Sequence, residues 1–285
     1  MTTLGVNPIL QNWILKQREI KWVVTMGLSG KRRPNITGSF NTTLAYLDDQ
    51  GEKWGDTYVK VVGQHFDDYA NWNAVKMFLP IGGVNFSRVL IPSPFVRRRD
   101  KGAAPGVTGL IGEVLVTVFL QNVLRLHPFD MAHLLNNSKL SSPDLCLDIQ
   151  PGILAKLFNT AINVRSSNEN SRIINILNSI SWTYPLPLEC KSRRDSGNRQ
   201  VRAALLQLLA YWRKVPDMAG YGIFAQVDVC PETILRFHLL VPKPSEIQNV
   251  RDIIQGKTDG ISLPVLSESP TIKEFDKKVG VRLLG

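Results

Sequence analysis

Two helical patterns most constrain what this sequence can fold into. Apolar residues recur at three- and four-residue steps over residues 107–119 and again over 199–214, which predicts two amphipathic helices. Short apolar stretches rich in strand-forming residues surround the second helix, which predicts strands at 145–149, up to Lys191, at 222–229 and at 234–241. Helices and strands in this alternation indicate an α/β fold in which helices flank a mixed sheet.

The chain before residue 107 predicts a separate module. Residues 9–19 favour a short helix, and residues 40–47 and 58–62 favour strands. Three prolines and two glycines in 91–106 are typical of a linker. We therefore expect an N-terminal α+β module of unassigned fold (1–105), a core with a helical insertion near 151–181 (106–242), and a C-terminal helix with a peripheral tail (243–285).

Composition narrows the class of protein. The 285 residues are 44% hydrophobic and 20% charged, as in an ordinary globular protein. The longest apolar run is too short to span a bilayer, and the first residues lack a secretory pattern. Three cysteines, Cys146, Cys190 and Cys230, cannot all pair, which favours reduced thiols and a cytoplasmic location, or a nuclear one in a eukaryote.

The charge of the chain favours a polyanionic partner. The formal net charge is +10. Binding of a cationic surface to a phosphate backbone is favourable, because it releases counterions from the backbone. The candidate nucleic-acid-binding residues fall in short basic clusters: Lys31, Arg32, Arg33, Arg97, Arg98, Arg99, Lys101, Arg193 and Arg194.

A carboxylate and an ammonium group stand side by side at the end of one predicted strand. Residues i and i+2 of a strand point the same way, so Glu189 and Lys191 share a face, where together they could hold a divalent metal and a polarised water. Asp144, after Pro143, opens another short strand and would bring in a second carboxylate. Asp148 lies four residues on and shares that face, so either aspartate is a candidate metal ligand, and the preceding proline favours Asp144.

This arrangement resembles the PD-(D/E)xK nuclease superfamily, whose core is the restriction-endonuclease-like fold. The motif residues are Asp144 after a proline and the triplet Glu189-Cys190-Lys191 at the end of a strand. The resemblance covers about residues 107–241. The gap between the two motif segments is longer than the family's usual hairpin, which implies the insertion near 151–181.

Two further elements are similar in position to parts of that superfamily. Glu113 lies on the helix before the Asp144 strand, where many members carry an additional metal-associated acid. Glu113 lies off the apolar stripe of that helix, which predicts that its side chain does not point into the core against which the stripe packs. Gln207 and Tyr211 are similar to the QxxxY signature of the RecB-like exonuclease branch, which supports the active site and contacts DNA. We expect both to line a cleft.

The resemblance implies a Mg²⁺-dependent nuclease, with Mn²⁺ able to substitute. Asp144, Glu189, Glu113 and the backbone carbonyl of Cys190 would hold the metal, since Mg²⁺ prefers hard oxygen ligands. Lys191 would orient or deprotonate the attacking water, or stabilise the developing charge. DNA is the implied substrate, restriction or other anti-invader defence the implied role, and a homodimer one arrangement that lets such enzymes cut both strands.

The alternative is a protein of another class: a basic nucleic-acid-binding or assembly protein without catalysis, in which the Glu189–Lys191 pair is structural. Other chemistries have less support. The four histidines are scattered, with no HxxxH or HExxH pair, and no GxxxxGK[ST] loop is present. The sequence therefore leaves a DNA nuclease, a binding protein and, as a third possibility, a protein of the nuclease fold that acts on RNA.

Overall fold

We analysed a computed structural model of the chain. It describes residues 15–27, 35–43, 45–47, 50, 105–127, 130–133, 143–162, 168–193, 199–228 and 233–256. The predicted strand at 58–62, the linker up to residue 104 and the tail after residue 256 lie outside these ranges.

The described residues contain one seven-stranded mixed sheet with the order β2-β1-β7-β6-β5-β4-β3. Strands β3, β4 and β5 form an antiparallel meander, β5 and β6 are parallel, β6 and β7 are antiparallel, and β1 joins β7 in parallel. The mixed α/β sheet predicted from the sequence is thus confirmed. Its strands are β1 (Arg18–Met26), β2 (Asn35–Thr42), β3 (Met131–His133), β4 (Leu145–Leu147), β5 (Leu186–Arg193), β6 (Gly222–Asp228) and β7 (Ile234–Leu240).

Besides helical residues such as 45–47, five α-helices with described bounds accompany this sheet. The predicted helix at 199–214 has the expected bounds, and the predicted helix at 107–119 begins at Pro105 and continues into a π-helical turn, Phe119–Val123. The insertion is a pair of helices, as the composition of 151–181 predicted. The helices are α1 (Pro105–Val118), α2 (Pro151–Ala161), α3 (Asn168–Asn178), α4 (Arg199–Lys214) and α5 (Ile247–Gln255).

Helices pack on both faces of the sheet. Phe119, at the end of α1, stacks on Phe237 of β7 and contacts Trp22 of β1, with ring centroids 4.4 Å and 5.4 Å apart. The opposite face carries Gly222, where an added Cβ would lie 3.4 Å from Leu208 of α4. The core therefore forms two layers around a central sheet.

The helix predicted over residues 9–19 is wrong at its described end, because strand β1 begins at Arg18. Within β1, Ile20, Trp22, Val24 and Met26 are all at most 2% exposed, while the residues between them are half-buried or exposed. That two-residue alternation is the signature of a strand with one buried face.

Strand β2 lies earlier in the chain than predicted. It covers Asn35–Thr42, and residues 45–47 are helical, so the predicted strand over 40–47 is wrong at its second half. Both β1 and β2 belong to the same sheet as the predicted core, since β1 pairs with β7 from Lys21 to Met26. The described part of the N-terminal module therefore shares one sheet with residues 131–240.

The predicted C-terminal helix begins at Ile247. Residues Pro244–Glu246 form a short 3₁₀ turn, and α5 follows from Ile247 with no side-chain cap at Glu246. Its end is conventional, because Gly256 adopts a left-handed φ of 71° after the last turn.

None of the helices within the described ranges is long and apolar enough to cross a membrane.

Candidate active site

Asp144 lies directly opposite Glu189 at the point where the β4–β5 ladder ends. The register pairs Leu145 with Leu188, so the next residue outward on each strand faces the other. The Asp144 backbone N–H donates to Glu189 Oε2 over 3.0 Å, and the Cys190 N–H donates to Asp144 Oδ2 over 2.9 Å. These reciprocal hydrogen bonds hold the two carboxylates at fixed positions.

Lys191 completes the cluster on the same face of β5. Its ammonium group makes an ion pair with Glu189 Oε1. The Glu189 side chain is fully buried, while that of Lys191 is 23% exposed and therefore borders solvent. Glu189 and Lys191 thus contact each other on one face of the strand, as their two-residue spacing predicted.

The environment of Glu189 disfavours a bare negative charge. Burial raises the pKa of its carboxyl group well above the usual range, the nearby Asp144 and Glu113 carboxylates raise it further, and Lys191 opposes them. A positive charge beside Glu189 therefore favours its ionised form, as the opposing effect of Lys191 shows.

Lys191 keeps its proton. Burial alone would lower the pKa of its ammonium group, but the Glu189 and Asp144 carboxylates outweigh burial and leave the pKa above its usual value. The three roles that the resemblance implies for Lys191, which are orientation of water, deprotonation of water and stabilisation of negative charge, stay predictions.

The main chain of Cys190 also faces this cluster. In an extended strand the N–H and C=O of one residue point to the same side, and the Cys190 N–H points to Asp144. Its carbonyl oxygen therefore lies on the Asp144 side as well, where β4 no longer pairs with β5. The Cys190 thiol is buried, which raises its pKa far above the usual range, so it does not fit the role of a nucleophile.

Glu113 is buried, contrary to the expectation that it points away from the core. Its side chain is only 7% exposed. All residues from 112 to 120, at the end of α1 and the start of the following turn, are buried, so the helix is covered on every face there. Its carboxylate raises the pKa of both Glu189 and Cys190, so it lies close enough to the cluster to act on its charge. The structure thus brings this fourth candidate to the site.

Gln207 and Tyr211 are both buried on α4, and their lining of a cleft stays a prediction. They are 7% and 4% exposed, within the packing of α4. The Tyr211 hydroxyl donates to the Pro185 carbonyl over 2.8 Å and also hydrogen bonds with the Cys146 thiol. Cys146 lies two residues after Asp144 and Pro185 lies just before β5, so Tyr211 joins α4 to both strands of the β4–β5 pair.

The candidate phosphate-binding residues fall mostly outside the described chain. Arg193 ends strand β5, two residues after Lys191. The remaining basic residues lie outside the described ranges: Lys31, Arg32, Arg33, Arg97, Arg98, Arg99, Lys101 and Arg194.

Two observations refine the site beyond the sequence. Asp148 is exposed and its backbone pairs with Asp130, so Asp144 is the aspartate that adjoins Glu189. Gln226 of β6 is in register with Lys191 and only 6% exposed, yet sequence reasoning did not single it out. The available signal was a polar residue within a strand whose preceding residues are apolar.

The oxygen donors of this cluster fit a hard divalent cation. Within the described ranges no group of three or more His, Cys, Asp or Glu side chains is arranged to hold a metal ion. The donors here differ in kind: the Asp144 and Glu189 carboxylates, fixed by hydrogen bonds, and the main-chain carbonyl of Cys190. Carboxylate and carbonyl oxygens suit Mg²⁺ or Mn²⁺.

No protein-family model matches this sequence, and neither a curated protein nor a solved structure matches it.

Proposed function

We propose that this protein is a Mg²⁺-dependent nuclease that hydrolyses phosphodiester bonds of DNA. The observation that carries the proposal is the hydrogen-bonded pair of Asp144 and Glu189 with the Lys191 ammonium group beside it. These are the residues that resemble the PD-(D/E)xK motif, and their side chains meet although 45 residues separate Asp144 from Glu189.

The order of elements supports the same proposal. Helix α1 is followed by the antiparallel strands β3, β4 and β5, then by α4 and by β6 parallel to β5. A helix, three strands, a helix and a strand is the order that the resemblance implies for a restriction-endonuclease-like core. The helix pair α2–α3 is then the insertion, and β7, β1 and β2 extend the sheet beyond β6.

Each residue of the cluster has a task in such a reaction. Asp144, Glu189 and the Cys190 carbonyl would hold Mg²⁺, with Glu113 adding negative charge nearby; the bound ion would supply Lewis-acid stabilisation of the phosphate and acidify water. Lys191, protonated and bordering solvent, would orient the attacking water and stabilise charge on the phosphate as it reacts.

DNA is the substrate that the resemblance implies, and the net charge of +10 supports a polyanion. A role in restriction or other anti-invader defence belongs to the same proposal. A homodimer would allow both strands to be cut and remains a prediction for measurements of mass in solution.

The test is cleavage of supercoiled and linear DNA with Mg²⁺, with Mn²⁺ and with EDTA. We expect metal-dependent cutting that Asp144→Ala abolishes and that Lys191→Ala slows by about 10²–10³-fold, as when a charge-stabilising group is lost. Cys190→Ala should keep cutting, because its proposed contribution is a main-chain carbonyl. Asp148→Ala and Lys156→Ala are the matched controls, since both side chains are exposed and lie on nearby elements.

One combination of cleavage and binding results would contradict the proposal. If the wild type cuts under no condition, and salt-sensitive DNA binding is the same in the wild type and in Asp144→Ala and Lys191→Ala, the protein is the basic binding or assembly protein instead. In that case the Glu189–Lys191 pair is structural.

A further inference from the structure

A second polar cluster begins next to Lys191 and continues across the sheet. The register places Lys191 of β5 beside Gln226 of β6, and Gln226 beside Arg236 of β7. Residues paired in register point to the same face, so these three side chains form one row. The row leads away from the proposed catalytic lysine on the face where it borders solvent.

Asp228 fixes the far end of this row. Gln226 Nε2 donates to Asp228 Oδ1 over 2.9 Å, and Arg236 Nε donates to Asp228 Oδ2 over 2.8 Å. The Asp228 side chain is 15% exposed, whereas that of Arg236 is 40% exposed. The acid is thus covered, and the guanidinium group that it holds extends toward solvent.

The orientation of Arg236 leaves its terminal nitrogens available. Among the described residues its one ion pair uses Nε, so the two Nη groups have no acceptor there. A guanidinium group presents a rigid fork that matches two oxygens of a phosphate, and an acid bonded to Nε holds that fork in one direction.

We propose that Arg236 binds a phosphate of the DNA backbone next to the one that is cleaved. The inference rests on the nuclease function proposed above for the Lys191 cluster. Two strand spacings, about 10 Å, separate the backbones of Lys191 and Arg236, and each side chain is held by its own acid, so we expect the two to contact neighbouring phosphates. Asp228 and Gln226 act as positioning residues for the arginine.

The test is binding of a short fluorescein-labelled DNA duplex, measured by anisotropy in EDTA over a series of KCl concentrations. Arg236→Gln should weaken binding and reduce the slope of log Kd against log salt concentration by about one, since one phosphate contact is lost. Arg236→Lys should keep the slope, because the charge remains, but bind more weakly because the fork is lost.

Arg251→Gln is the matched control. Arg251 lies on α5 and is also paired with an aspartate, Asp217, at 3.6 Å, with a side chain 31% exposed. Its substitution should leave the salt slope at the wild-type value. Thermal melts of every variant, followed by circular dichroism, separate loss of binding from loss of folding.

The outcomes distinguish this inference from the proposed function. A reduced slope in Arg236→Gln, with a wild type that never cuts DNA, supports the phosphate site while the nuclease proposal fails. An unchanged slope in folded Arg236→Gln overturns the site even if the wild type cuts. A wild type that does not bind the duplex also overturns it.

Discussion

At the scale of single residues, the buried carboxyl group of Glu189 governs how the cluster responds to pH. Its pKa in the folded protein is raised by burial, by Asp144 and by Glu113. The folded state therefore holds the proton more tightly than the unfolded chain, in which the pKa is about 4.3. The stability contributed by this group is fully present below that value and is lost as pH rises through the raised folded pKa.

Glu189→Gln tests this directly in EDTA. Glutamine does not titrate, so the melting temperature of the variant relative to the wild type should rise between about pH 4 and about pH 8. Circular dichroism melts at each pH measure the difference, and Asp148→Asn, at an exposed site, is the control. A difference that stays flat across this range would show that the folded protein does not raise the Glu189 pKa.

The site residues were predictable to the extent that one strand or one helix determines them. The two-residue spacing of Glu189 and Lys191 defined their shared face without any tertiary information. The burial of Glu113 was not predictable in this way, because an apolar stripe identifies the first face that a helix buries and says nothing about a second. The row from Lys191 to Arg236 depends on the register of three strands, which no local pattern contains.

At the scale of elements, Tyr211 joins helix α4 to the start of β5. Its hydroxyl donates to the Pro185 carbonyl inside the core. Tyr211→Phe leaves that buried carbonyl without this donor and should lower the free energy of unfolding by about 1–3 kcal/mol. Urea unfolding measures the change.

Tyr184→Phe is the matched control, one residue before Pro185 with a side chain 39% exposed. It should change the free energy of unfolding by less than about 0.5 kcal/mol. Equal effects of the two substitutions on the free energy of unfolding would show that the Tyr211 hydroxyl does not anchor the strands. A loss of DNA binding by folded Tyr211→Phe would support the prediction from the sequence that Tyr211 contacts the substrate.

The elements themselves were predictable where one pattern ran long enough. The sixteen residues of α4 show a helical stripe over more than four turns, and the predicted bounds agree with the structure. Strand β1 was missed because the apolar residues before it suggested a helix, although Ile20, Trp22, Val24 and Met26 alternate strictly. The C-terminal helix was predicted without its exact start, because Pro244 begins a 3₁₀ turn before Ile247.

At the scale of the whole molecule, the close approach of Gly38 to Trp22 ties the first two strands to the rest of the core. A Cβ at Gly38 would lie 2.4 Å from Cζ2 of the Trp22 ring, and that ring also contacts Phe119 at the end of α1. Gly38→Ala must displace a buried tryptophan, so we expect it to lower the free energy of unfolding by about 1–3 kcal/mol.

The measurement is urea unfolding, followed by tryptophan fluorescence and by circular dichroism. Because β1 pairs with β7, the transition should be a single one that Gly38→Ala shifts as a whole. Gly152→Ala, near the start of α2, is the control, since an added Cβ there meets only Asn178 Oδ1 at 3.9 Å. Two transitions, of which Gly38→Ala shifts one, would instead show that the N-terminal strands unfold independently.

The pairing of β1 with β7 also limits the order in which the strands of the sheet can pair during folding. His238 follows the Thr25 that it contacts by 213 residues, so this join closes a very long loop. Contacts so distant along the chain form late, and folding dominated by them is slow. Until β7 has been synthesised, β1 exposes Trp22 and an unpaired edge to other chains. We therefore expect the join of β1 to β7 to be a late step of folding, before which the edge of β1 is open to contact with other chains.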